Sequence, residues 1–263
     1  MLTELGRVAR TAFIGEDPEH GDLQGPHDDR WNNVASTFLS LTPGGSVRAV
    51  RARLLFERAH GLYSNPCLRY HNWSHIQDVL AAYTALWGDP HPEVLLAIGY
   101  HDCVYVPGAE PGVNERLSAQ VFRNVHVHEF GPPADIEEHQ EHGDSIDVEF
   151  VVELVNATVV ANHVSPTYAP KSVYEARLLD CDLNGLGKPW PQFCAIQDAV
   201  LYEMLGPSGF APSVIEGHRC HQAEFLARFL QAPRPHVYHT AEARDRWEDQ
   251  VQSNIGRFLD AYL

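Results

Sequence analysis

The stretch Pro92–Asp102 limits what this chain can become more than any other. Val94-Leu95-Leu96-Ala97-Ile98-Gly99 has no polar residue, and Tyr100 leads into the pair His101-Asp102. Pro92 suits a first helical turn, where its missing N–H costs nothing. The spacing predicts a helix over about 92–103. A helix that is apolar on every side belongs inside a helical domain. Its polar end is then carried inside too, and a buried imidazole and carboxylate need a partner. A divalent metal ion is the simplest one.

Other segments look built for the same purpose. His71-Asn72-Trp73-Ser74-His75-Ile76 opens a helix predicted over His71–Trp87, with Ile76, Leu80, Tyr83 and Trp87 on one side. Gly88-Asp89-Pro90 ends it. A helix over Lys171–Asn184 carries Asp180 and Asp182 near its end and is closed by Gly185 and Gly187. Further helices are predicted over 46–60, 115–127 with Asn114 as N-cap, 146–161, 190–205, 212–231 and 241–262. Residues 130–144, acidic and rich in His, read as an exposed connection or lid. No segment alternates as a strand would. The expected class is all-α, a helical bundle with a metal site at its centre. Residues 1–45 read as a leader, with helices at 2–13 and 30–41, packed on one domain over 46–263.

Composition narrows the function. With Lys+Arg 19 against Asp+Glu 35, the formal charge is −16, which repels long nucleic acid and leaves room for a small anion whose site carries a cation. Five scattered cysteines with no CxxC speak against a disulfide framework or a thiolate zinc site, and for a reducing compartment. No basic segment followed by an apolar run opens the chain, and no apolar run approaches a membrane span. The expected location is the cytoplasm, with no membrane partner. A homodimer is compatible with all of this.

His75 falls in the first turn of one helix, His101-Asp102 end a second, and Asp180 and Asp182 lie near the end of a third. Two imidazoles and two carboxylates with open positions suit Mn²⁺, Fe²⁺, Co²⁺, Ni²⁺ or Zn²⁺, and Mg²⁺ less well. Such an ion acidifies water and polarises a phosphoryl oxygen.

In this order the residues resemble the HD superfamily of metal-dependent phosphohydrolases, whose pattern is His, then His-Asp, then a distant Asp. The likeness is nearest to the bacterial group described as predicted metal-dependent HD phosphohydrolases. It runs through Tyr70–Ile76, Ala97–Tyr105, Asn114–Ala119, Thr158–His163, Leu179–Gly187 and the tail from Val237 to Glu248. The resemblance implies that His75, His101, Asp102 and Asp182 hold one ion, with a second ion open. It places Asp180 beside the site, orienting a ligand or touching substrate, and His163 at a second metal or a phosphate.

The function so implied is hydrolysis of a small phosphorylated substrate, a nucleotide first among them, by attack of metal-activated water on phosphorus. Asp102 would help activate that water. Arg69, His71 or Lys171 would neutralise phosphate charge, and Glu115 would hydrogen-bond a ligand histidine. Each has a plainer reading: His71 as a helix cap, Glu115 as a first-turn acid favoured by the helix dipole, and Arg69 and Lys171 as solvated surface residues. His126 and His128 read as surface histidines. Two other function classes compete: a two-iron oxygenase on an HD fold, which needs additional His ligands, and a non-catalytic nucleotide or metal sensor.

Overall fold

The computed structural model describes residues 47–88, 91–131, 145–206, 212–231 and 236–263. In order they form α1 (Val47–His60), a 3-10 turn (Gly61–Tyr63), α2 (Trp73–Trp87), α3 (Pro92–Tyr100), α4 (Val113–Phe130), α5 (Val148–Ala157) and α6 (Val160–Val164). Then come α7 (Val173–Asp182), a 3-10 turn (Leu183–Gly187), α8 (Trp190–Leu205), α9 (Pro212–Ala227), a 3-10 turn (Arg228–Leu230) and α10 (Ala241–Tyr262). The fold is all-α, with no strand among the described residues. The leader expected over 1–45 and most of the expected lid at 130–144 lie outside them.

The apolar run of α3 is where its composition requires. Val94, Leu95, Leu96, Ala97, Ile98 and Tyr100 are 0% exposed, and α1, α2, α4, α5 and α7 all pack on this helix. Each large aliphatic side chain buried here contributes about 1.5–3 kcal/mol. Gly99 is small because Phe56 of α1 crosses it, 3.0 Å from where a Cβ would stand. A second core joins the C-terminal half: Phe193, Leu226, Phe229, Val237, Tyr238, Val251, Ile255 and Phe258.

One buried ionic group ties the first core together. The Glu93 side chain is 0% exposed and pairs with Arg48 of α1 at 2.6 Å and with His91 at 3.1 Å. It also accepts the Asp147 backbone N–H at the start of α5, at 3.1 Å. Burial pushes this carboxyl up, but His91, Arg48 and the Asp147 amide outweigh it and bring it down to about 2.

Helix ends differ from expectation in three places. Asn72, not His71, caps α2, its Oδ1 accepting the Ser74 N–H at 2.8 Å. Gly112 holds the capping position of α4, and Asn114 instead clamps Val106, accepting its N–H at 3.1 Å and donating to its carbonyl at 3.3 Å. The helix expected over 146–161 is broken at Thr158, whose hydroxyl donates to the Val155 carbonyl at 2.8 Å before α6 sets off afresh. Ser172 caps α7, accepting the Glu175 N–H at 3.1 Å. All five cysteines are free thiols. Among the described residues, no helix is long and apolar enough to cross a membrane.

Candidate metal centre

Three helix ends meet at one point. His75 comes from the first turn of α2, His101 and Asp102 from the end of α3, and Asp182 from the last residue of α7. One donor atom from each lies within 4.8 Å of all the others. His75 Nε2 is 3.3 Å from His101 Nε2, 3.2 Å from Asp182 Oδ1 and 3.4 Å from Asp102 Oδ2. His101 Nε2 is 3.1 Å from Asp102 Oδ2 and 3.3 Å from Asp182 Oδ1. Among the described residues no other group of three or more His, Cys, Asp or Glu side chains converges in this way.

Two observations test whether an ion fits these donors. The first is spacing: donors about 2.1 Å from a metal stand roughly 3.0 Å apart along an octahedral edge and roughly 3.4 Å along a tetrahedral one. The separations above, 3.1–3.4 Å, fall in that interval. The second is the tautomer of His101. Its Nδ1 lies 2.9 Å from the Ile98 carbonyl, which can only accept, so Nδ1 carries the proton and Nε2 offers a lone pair to the cluster. The donor set fits a divalent metal.

The electrostatics agree. Burial pushes the imidazoles of His75 and His101 down, but Asp102 and Asp182 outweigh it and hold both above the ordinary histidine value. Burial raises both carboxyls, yet His101 leads the charges that keep Asp102 and Asp182 well below the usual carboxylate range. With no ion bound, the two carboxylates favour the protonated imidazoles, and an ion would have to displace the Nε2 protons.

The cluster opens into a cavity of about 460 Å³, within the ordinary span of small-molecule pockets. Asp102, Asp182, His163, His71, Glu115 and Tyr105 all line it. His163, on α6, sets its Nε2 3.1 Å from Asp182 Oδ2, the oxygen that the other two histidines do not use. His71 sits at the mouth, its ring stacked on Tyr105 with centroids 3.5 Å apart and planes 14° from parallel.

Several expected residues go elsewhere. Asp180 is buried but faces away, accepting the N–H groups of His239 at 2.7 Å and Thr240 at 2.8 Å and the Thr240 hydroxyl at 2.6 Å. It anchors the start of α10 instead of orienting a ligand. Arg69 lies over the Tyr202 ring, 3.3 Å from its centroid, and Lys171 gives only its backbone N–H to Glu175. Both side chains are exposed and neither lines the cavity. Glu115 reaches the wall, but its Oε2 is buried without a hydrogen-bond partner instead of bound to a ligand histidine. Burial, with Asp102 and Asp182 nearby, raises its carboxyl. His126 packs between Phe122 and Phe130, away from the cavity, and His128 is exposed.

One residue had gone unnoticed. Glu203, in the last turn of α8, has a side chain that is 0% exposed. Its Oε1 accepts the backbone N–H groups of Tyr70 at 2.5 Å and His71 at 3.0 Å, and its Oε2 accepts from His71 Nδ1 at 2.6 Å. A carboxylate accepts only, so it fixes the proton on Nδ1 and leaves Nε2 for the cavity. A signal was present: an acid at a helix C-terminus opposes the helix dipole and needs another reason to be there.

No protein-family model matches this chain, and no curated protein matches it in sequence.

Proposed function

We propose that the chain is a metal-dependent phosphohydrolase of the HD type, acting on a small phosphorylated substrate. The observation that carries the reading is the meeting of His75, His101, Asp102 and Asp182, at donor separations that suit one ion, with Asp102 and Asp182 on the wall of a ligand-sized cavity. The order His, His-Asp, Asp across the ends of α2, α3 and α7 is also that of the HD pattern.

In this reading those four residues hold the ion, which when bound polarises a phosphoryl oxygen and makes water a better nucleophile. The remaining work falls to the chain. The site is buried, so charge interactions within it are screened less than at the surface. When its ring is protonated on both nitrogens, His71, oriented by Glu203 and Tyr105, can donate from Nε2 toward the phosphate or its leaving oxygen. His163 holds the second oxygen of Asp182 and so fixes that carboxylate's rotation.

The test is metal analysis of protein purified without chelator, coupled to a phosphate-release screen with Mn²⁺, Co²⁺, Ni²⁺, Zn²⁺ and Mg²⁺. The expected result is one transition metal per chain and metal-dependent release. Full occupancy in both His101→Ala and Asp102→Ala would defeat the site. Two irons per chain and oxygen consumption would select the oxygenase instead.

A further inference from the structure

Resting on the phosphohydrolase reading, we infer that the cavity is built for a monophosphate ester of a largely apolar alcohol, and that it discriminates against nucleoside di- and triphosphates.

The first ground is charge. Asp102, Glu110, Glu115 and Asp182 line the cavity, and no Lys or Arg does so among the described residues. A divalent ion at the cluster offsets only two of these four carboxylates. The other lining residues able to carry positive charge are His71, His163, His218 and His221. Arg219 pairs with Asp198 and donates to Gln222 Oε1 at 2.9 Å, and Arg69 stacks on Tyr202; Arg116 stands behind the lining Gly112, exposed and not itself part of the wall. Sites that bind polyphosphates surround them with cations or backbone N–H groups. This wall places one phosphate at the ion and meets any further phosphate with carboxylates.

The second ground is the wall beyond the ion. Ile196, Val200 and Leu201 of α8 face the cavity, together with Phe225 and Leu226 of α9 and Phe229 just after it. On α9 the lining positions 218, 221, 222, 225 and 226 recur at helical spacing, so a single face of that helix is presented. The two glutamines on this wall are occupied with each other, Gln222 Nε2 donating to both the carbonyl and the Oε1 of Gln197, each at 3.0 Å, which leaves His218 and His221 as its open polar groups. Such a wall rewards apolar area and offers few groups to read a base edge.

The test has two arms. With the activating metal in excess, kcat/KM is compared for hexyl phosphate and glycerol 3-phosphate, whose leaving alcohols are both aliphatic, and for AMP, ADP and ATP. Hexyl phosphate should exceed glycerol 3-phosphate roughly 10- to 100-fold, and AMP should exceed ATP on the order of 100-fold. Phe225→Ala, with metal content as the check on folding, should lower the hexyl-to-glycerol ratio about 10-fold. The exposed wall residue Met204, changed to Gln, should lower it in the same direction should Phe225→Ala fail to fold.

The second arm is calorimetry on metal-loaded protein with phenylphosphonate and α,β-methylene-ADP, neither of which is hydrolysed. Tighter binding of phenylphosphonate supports the inference even if no ester is turned over, an outcome that removes the hydrolase reading alone. Hydrolysis of ATP as fast as AMP, or tighter binding of the diphosphate, overturns the inference and leaves the hydrolase reading standing.

Discussion

Asp180 and Asp182 belong to the same helix and send their carboxylates to opposite tasks. Residues two apart on a helix point about 200° away from each other. Asp182 faces His75, His101 and His163, while Asp180 faces the backbone at His239 and Thr240. Asp182→Ala should therefore abolish bound metal, and with it the stabilisation that added metal gives. Asp180→Ala should leave metal per folded chain intact and lower stability by about 2–4 kcal/mol, because it strands buried donors. Elemental analysis and urea unfolding read the two effects, and metal loss in Asp180→Ala would reverse the assignment.

Metal uptake should release protons. In the ion-free protein His75 and His101 have raised values, so their contribution to stability is complete below the ordinary histidine value and fades as pH rises through the raised ones. The melting temperature with chelator should fall as pH goes from about 6.5 upward. The stabilisation from added metal should grow over the same span, because the ligands must be unprotonated. Scanning fluorimetry across pH, with and without metal, checks both slopes.

Glu203→Gln keeps an acceptor for the backbone of Tyr70 and His71 but turns an NH₂ toward His71 Nδ1. No acceptor is then left for an Nδ1–H, so the doubly protonated ring, the form that can give a proton from Nε2, is lost; the neutral Nε2–H ring that remains is far too weak an acid to replace it. The expected effect is a fall of about 100-fold in kcat on alkyl phosphates, whose leaving oxygen needs a proton. Metal content should not change. With 4-nitrophenyl phosphate, whose leaving group needs none, the fall should be small. Equal losses on both substrates would reduce Glu203 to a structural residue.

Glu93 should contribute to the acid limit of the fold, beside Asp102 and Asp182. Its carboxyl titrates at about 2 in place of 4.5. Its contribution, on the order of 3 kcal/mol, is present above 4.5 and is lost as pH falls toward 2. Glu93→Gln should flatten the acid limb of a stability–pH curve and destabilise the protein at neutral pH. An unchanged curve would mean that Arg48 and His91 find equivalent partners without it.

The convergence of His75, His101, Asp102 and Asp182 could be read from the sequence because each of them sits at the end of an element that composition already defines. The apolar run from Val94 has to be central, so the pair that ends it has to be buried. What could not be read depends on distant partners. The role of Asp180 is set by an amide 59 residues away, and that of Glu203 by an imidazole 132 residues away. Arg69 and Lys171 were attractive as cations near the motifs, but long flexible side chains follow solvent and aromatic faces as readily as a phosphate. Thr158 interrupts a helix whose apolar pattern runs on through Val159 and Val160. The hydroxyl bond that ends it leaves no trace in periodicity.

That interruption at Thr158 has a kinetic consequence. It turns α6 so that His163 reaches Asp182 across 19 residues, while His75 reaches the same carboxylate across 107. An ion shared by these residues would act as a cross-link between segments far apart in the chain. Closing so long a loop is a late event in folding, so the ion's grip is largely absent from the transition state. The loaded protein should owe its persistence to slow unfolding and not to fast folding, and a chelator should shorten its lifetime without altering the speed at which it refolds.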